Sequence, residues 1–232
     1  MAPDPSMLRP TDPRLVGITG GTGAGKSELS RMLAQNESWP LLEADRFGHA
    51  ALLPGSTPYR RVLARFGAAV VGPGGGVDRR RLAGVVFSDP AALADLNDIT
   101  HPWIVERLLE ELARLRAAGY ADIILLDAAL LHLWRERIRP RWIVVVVAPL
   151  RRRLERLAAS GMTRAEALRR MRSQGRGPAR QDRADWVVEN GGSRAELAAE
   201  ARRLAERIRA AGVSRGTQAR GGKNGSGSGQ DG

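Results

Sequence analysis

The chain contains no cysteine, which excludes a disulfide framework, a thiolate metal site and a cysteine nucleophile. Its three histidines, His49, His101 and His132, lie too far apart to give a metal-ligand spacing. No segment approaches the roughly 18 consecutive apolar residues that a membrane span requires, so no membrane partner is expected. The first 14 residues (MAPDPSMLRPTDPR) are rich in proline and lack the apolar stretch of a signal peptide. The expected location is the cytoplasm. Aromatic residues make up only 4% of the chain. Trp103, Trp134, Trp142 and Trp186 are scattered, which suits core or interface positions better than a platform for stacking nucleic-acid bases.

Lysine is also scarce. Of 37 basic residues only Lys26 and Lys223 are lysines, and against 25 acidic residues the net charge is +12. Such an excess is compatible with nucleic acid, an anionic surface or a phosphorylated small molecule. Alongside so much alanine and glycine, the arginines read first as the codon bias of a GC-rich genome. A lysine kept inside the folded part against that bias invites a reason, because ammonium and guanidinium groups differ in shape and hydration.

With 43% apolar residues over 232 positions, the chain can bury the core of one large domain. Residues 1–14 and the Gly/Ser-rich tail, 213–232, read as disordered by composition. Between them lie five short apolar runs: Leu15–Thr19, Pro40–Glu43, Ala121–Asp127, Trp142–Ala148 and Trp186–Val188. Runs such as IILL and IVVVV do not alternate, which predicts strands buried on both faces of a parallel sheet. Helical patterns fill the gaps. Thr163–Glu166 and Ser193–Glu196 both fit a capping box, and Pro90 and Pro149 suit a first helical turn. The expectation is a doubly wound α/β fold with a five-stranded parallel sheet, of the P-loop NTPase kind. The core would span 15–45 and 120–212, and residues 46–119 would form a mostly helical insertion over the carboxyl edge of the sheet.

Gly20, Gly21, Thr22, Gly23, Ala24, Gly25, Lys26 and Ser27 fit the pattern G-x-x-x-x-G-K-[ST], directly after the first strand and before a helical run that opens at Glu28. Glycines allow the backbone N–H groups to turn around a phosphate at the helix N-terminus. Lys26 would reach the β- and γ-phosphates, and Ser27 would offer its hydroxyl to Mg²⁺. The second strand ends in Glu43-Ala44-Asp45. Either carboxylate there can face a γ-phosphate and accept a proton from an attacking hydroxyl, while Asp45 can equally be an N-cap for the next helix. Asp127 closes the third strand, either as a carboxylate holding Mg²⁺ through water or as a plain strand-end residue.

These blocks, together with Leu53–Ser56, Arg65–Gly67, Val77–Leu82, Val86–Pro90, His101-Pro102, Ala184-Asp185 and Asn190-Gly191, resemble the dephospho-CoA kinase family in the same order from about Val16 to Ile208. The resemblance implies transfer of the γ-phosphate of ATP to the ribose 3′-hydroxyl of dephospho-CoA, with a nucleoside-monophosphate-kinase-like core, a helical acceptor-binding region and a lid at about 150–175. It implies that Asp45 is the catalytic carboxylate, that Arg156 is the lid arginine on the phosphates, and that Arg79, Arg80 and His101 belong to the acceptor region. Four departures stand out: Glu43 replaces an aspartate, Glu28 follows the phosphate-loop serine, Leu133 stands where the family has glutamate, and the second lid arginine is missing unless Arg164 substitutes. Arg151, Arg152, Arg153, Arg169, Arg170 and Arg172 offer guanidinium groups that a lid can use to screen the transferring phosphoryl group, but most of them read as solvated helix faces. A nucleic-acid-associated P-loop NTPase and a divergent, weakly active family member are the alternatives. The oligomeric state is not readable.

Overall fold

The non-alternating apolar runs do form the centre of the molecule. The computed structural model describes residues 11–175 and 181–213. In chain order its elements are β1 (Leu15–Gly20), α1 (Lys26–Glu37), β2 (Leu41–Glu43), α2 (Ala44–Ala50), α3 (Thr57–Phe66), α4 (Arg79–Val86), α5 (Pro90–Ala117) and β3 (Ile124–Asp127). They continue with β4 (Trp142–Val147), α6 (Leu150–Ala159), α7 (Arg164–Gln174), β5 (Trp186–Glu189) and α8 (Arg194–Val213). The strands form one sheet in the order β2-β3-β1-β4-β5, every pairing parallel.

Successive side chains point to opposite faces of a strand, and here both faces are covered. Val16, Ile18, Leu125, Val144 and Val146 pack against Leu29 and Leu33 of α1 and Leu204 and Ile208 of α8. Leu15, Leu42, Ile124 and Leu126 pack against Ile104, Val105, Leu108 and Leu112 of α5. A third cluster, built from Val62, Val70, Leu82, Val86, Ala92 and Ile99, holds α3, α4 and the start of α5 together. The stretch expected as one insertion therefore divides within α5, near Pro102: the amino-terminal part builds the separate cluster and the carboxyl-terminal part lies on the sheet. β1 and β3 are neighbours, with Ile18 in register with Asp127. Their onward connections leave in opposite directions along the sheet, so a crevice opens beyond their carboxyl ends.

Local chemistry moves several expected boundaries. β3 begins at Ile124 rather than Ala121, because the Asp122 carboxylate turns back onto the Ile123 amide at 2.7 Å while Arg116 takes the Asp122 carbonyl at 2.8 Å. Pro149 is the N-cap of α6 and not a residue of its first turn. Both capping boxes form: Thr163 with Glu166 at the start of α7, and Ser193 with Glu196 ahead of α8. The disorder expected for 1–14 does not extend to residues 11–14. Thr11 N–H donates to the Arg139 carbonyl at 2.9 Å, and Asp12, 6% exposed, receives the Arg116 fork at 2.6 and 2.7 Å. Residues 1–10 and 214–232, the rest of the two expected disordered ends, lie outside the described residues. Among the described residues no helix is long and apolar enough to cross a membrane.

Burial works to raise the Asp12 pKa, but the bonds from Arg116 and from the Arg14 amide outweigh it and hold the carboxyl below its ordinary range. A depressed carboxyl contributes stability that is complete above its unfolded pKa and is lost as the pH falls through the folded value. Asp12→Ala should therefore lower the unfolding free energy by about 1–3 kcal/mol at neutral pH. In urea titrations the gap between wild type and variant should close as the pH drops below about 4.

Candidate active site

The loop from β1 to α1 needs backbone that favours glycine. Gly23 and Gly25 have φ of 78° and 92°. A Cβ on Gly25 would run into Asn190 Nδ2, and one on Gly23 would come within 2.8 Å of the Arg153 carbonyl. The surrounding side chains take the loop's carbonyl oxygens. Arg153 Nε donates to Thr22 at 2.8 Å. Arg156 Nη1 donates to Gly23 and Ala24 at 3.4 and 3.2 Å, and Asn190 Nδ2 also donates to Ala24, at 2.9 Å. The second amino group of Arg156 binds Asn190 at its carbonyl and side-chain oxygens, at 3.0 and 2.9 Å. α1 starts at Lys26 without a side-chain cap, so its first-turn amides remain available to an anion.

Lys26 Nζ makes a buried ion pair with Asp127 and lies 3.4 Å from Ser27 Oγ. Both charged residues are almost fully enclosed, at 8% and 3% exposure. Burial pushes the Asp127 pKa up, more than Lys26 and the Ser27 hydroxyl pull it down, and the charge of Asp45 adds to the rise. Ser27 and Asp127 together are hard oxygen donors next to the loop. That donor set suits Mg²⁺, which commonly takes one or two protein oxygens and completes its shell with phosphates and water.

The two carboxylates after β2 differ in their surroundings. Glu43 is the N-cap residue of α2, and its carboxylate is held by Arg31 at 3.1 Å and approached by Arg46 at 4.0 Å. Asp45 lies in the first turn of α2, so the extended strand that would have turned both side chains to one side ends before it. The N-cap alternative for Asp45 fails with it: the cap is Glu43, and no hydrogen bond or ion pair engages the exposed Asp45 carboxylate among the described residues. One turn on, His49 has its pKa lowered by burial first and then by Arg79 from α4 and Arg170 from α7, with Asp45 opposing. Arg79 and Arg170 thus bring positive charge to His49, one turn from Asp45.

The remaining candidates spread out. Arg80 is within electrostatic reach of Glu166 on α7, whereas Arg81 is spent on the Val71 carbonyl at 2.6 Å. His101 faces Trp134 edge-on at 5.4 Å, and burial, against Asp98 and with help from His132, lowers its pKa to about 4. It is a neutral imidazole at physiological pH. Arg164 is exposed at the start of α7; the second lid arginine on the loop is Arg153, one turn before Arg156. The solvated-face reading does not hold for Arg153, and its i, i+3 spacing from Arg156 is the sequence signal for its place on the loop. Gln174 and Arg194 had none. Gln174 binds Thr22, and Arg194 pairs with Glu28 at 2.7 Å beside a cavity of about 340 Å³ that Gly25, Asn190 and Gly192 help to line.

Residues 14–196 match the protein family described as dephospho-CoA kinase. The dephospho-CoA kinase of Latilactobacillus sakei is 34% identical over 194 residues, covering 83% of this chain and 95% of its own length. That of Anaeromyxobacter dehalogenans is 37% identical over 197 residues, covering 84% and 92%. The crystal structure of TT1252 from Thermus thermophilus superposes with a TM-score of 0.66 at 37% identity, covering 84% of this chain and 98% of that one.

Replacing one partner of a buried ion pair leaves the other uncompensated, at a cost of about 3–5 kcal/mol. Lys26→Met should lose stability of that order at pH 7. The loss should shrink as the pH falls, because Asp127, its pKa raised further, takes up a proton in the folded state. Lys26→Met/Asp127→Asn should recover most of the stability but no phosphoryl transfer, which thermal unfolding and turnover measured together would check.

Proposed function

The chain belongs to the dephospho-CoA kinase family, and on that premise we propose that it transfers the γ-phosphate of ATP to the ribose 3′-hydroxyl of dephospho-CoA, giving CoA and ADP. The observation that carries the assignment of roles is the exposed, unpaired Asp45 carboxylate, whose charge reaches Asp127 beside Lys26. Gly20–Ser27 and the amide of Glu28 cradle the phosphates, and the base and ribose of ATP lie in the cavity between Gly25, Asn190 and Arg194. Lys26 swings from Asp127 to the transferring phosphoryl oxygens. Ser27 and Asp127 would hold Mg²⁺, which when bound neutralises charge on the phosphates.

Phosphoryl transfer leaves the protein little covalent work, so positioning and charge dominate. Asp45 accepts a hydrogen bond from the 3′-hydroxyl, turns its oxygen toward the γ-phosphorus and takes its proton late in the transfer. Glu43 is not suited to that task, because Arg31 and Arg46 already occupy it. Arg156 and Arg153 keep the loop in its phosphate-binding form. The acceptor's diphosphate lies toward Arg79 and Arg170, whose charges both act on His49, with Arg80 next in the chain. His101 lines the acceptor region as a neutral group.

A coupled ADP-release assay with dephospho-CoA, AMP, shikimate and single-stranded DNA tests the reading; only dephospho-CoA should support turnover. Activation by DNA would favour the nucleic-acid-associated alternative, and no turnover with any of the four would favour the weakly active one. Asp45→Asn keeps the shape and removes the proton acceptor, so kcat should fall by about 10²–10⁴-fold while ATP affinity stays unchanged. Glu43→Gln should cost far less. A Glu43→Gln enzyme without activity beside a fully active Asp45→Asn enzyme would move the role to Glu43.

A further inference from the structure

Among the described residues, the side chains of the lid and of the β5–α8 loop that bind the backbone of the phosphate loop do so at carbonyl oxygens, with one exception. Arg153, Arg156 and Asn190 all donate to carbonyls. These contacts hold the loop without using its N–H groups, of which that of Ala24 turns to the Gly21 carbonyl at 2.9 Å. Gln174, the last residue of α7, does the reverse. Its side-chain oxygen Oε1 accepts from the Thr22 N–H at 2.8 Å and from the Thr22 hydroxyl at 2.6 Å. Two donors of one residue thus converge on a single acceptor oxygen, inside a loop whose N–H groups exist to bind anionic oxygens.

We propose that the Thr22 N–H and hydroxyl form the seat for one oxygen of the terminal phosphoryl group of a nucleoside triphosphate, and that Gln174 fills this seat until the triphosphate displaces it. The proposal rests on the kinase reading above. The terminal group is favoured because the first-turn amides of α1 serve the inner phosphates, whereas Thr22 stands four residues ahead of Lys26, whose ammonium reaches the β- and γ-phosphates, and against Gln174 at the end of α7. A charged acceptor makes the stronger hydrogen bonds, about twice as strong as those of a neutral amide, so the phosphoryl oxygen wins the exchange. Release of α7 is cheap in packing. α6 buries no residue and α7 buries only Ala167, and segments with so little buried contact open at low free energy. Gln174 is then a positioning residue: through Thr22 it reports to the lid whether the last phosphate is present.

The test is a calorimetric titration of a non-hydrolysable ATP analogue and of ADP into wild type, Gln174→Ala, Gln174→Asn and Thr22→Val. The asparagine keeps the amide but is too short to reach. Both Gln174 variants should bind the analogue about 3–10-fold tighter, the worth of the hydrogen bonds no longer competed for, and should bind ADP as wild type does. Thr22→Val, which keeps the N–H and the shape, should weaken the analogue and leave ADP unchanged. In wild type, amide hydrogen exchange across residues 164–174 should quicken with the analogue and not with ADP. Unchanged or weaker analogue binding in both Gln174 variants, with native circular dichroism and ADP affinity retained, overturns the proposal alone. Equal tightening for ADP overturns it too, since the seat would then serve an inner phosphate. Failure of wild type to bind either nucleotide removes the kinase reading and this proposal together.

Discussion

The site depends on a buried ion pair, Lys26 with Asp127, between the end of β3 and the start of α1. Taking two charges out of water costs several kcal/mol per ion, so such a pair persists only where rigid elements hold both partners. β3 is held by its register with β1, and α1 by the packing of Leu29 and Leu33 on the sheet. Stability alone does not account for the pair. A carboxylate whose pKa burial has raised is poised to gain from any further positive charge, which is a property of functional sites more than of cores.

Around that pair the loop is braced by polar tethers, not by burial. Among the described residues, α6 and α7 contribute almost nothing to the hydrophobic clusters, and Arg152, Arg153, Arg156 and Gln174 tie them to the core through hydrogen bonds. On the kinase reading, the same short loop would receive the phosphates and anchor α6 and α7. Occupancy of one and position of the other are linked by geometry, without any long-range network.

On the acceptor side, the chemistry is decided by neighbours. Glu43 and Asp45 are alike as acids and sit two residues apart, yet Arg31 and Arg46 engage one and leave the other free. Arg79 of α4 and Arg170 of α7 meet through their common effect on His49.

The periodicity of the apolar runs, read without any structure, determined a parallel five-stranded sheet, because runs such as Ile124–Leu126 and Ile143–Val146 leave no polar face to expose. Local motifs were equally legible: the glycines and Lys26 of the phosphate loop, and the two capping boxes, depend on residues a few positions apart. The order of the strands, the division of the insertion within α5 and the anchoring of Asp12 by Arg116, 104 positions away, were settled only by tertiary packing. So were the assignments of Arg153, Asn190 and Gln174 to the phosphate loop. Each of these side chains matters for the atom it meets across the fold, Gln174 meeting Thr22 over 152 positions. Period and local spacing carry no record of such distant pairings; those are decided when the sheet and its helices close around the loop.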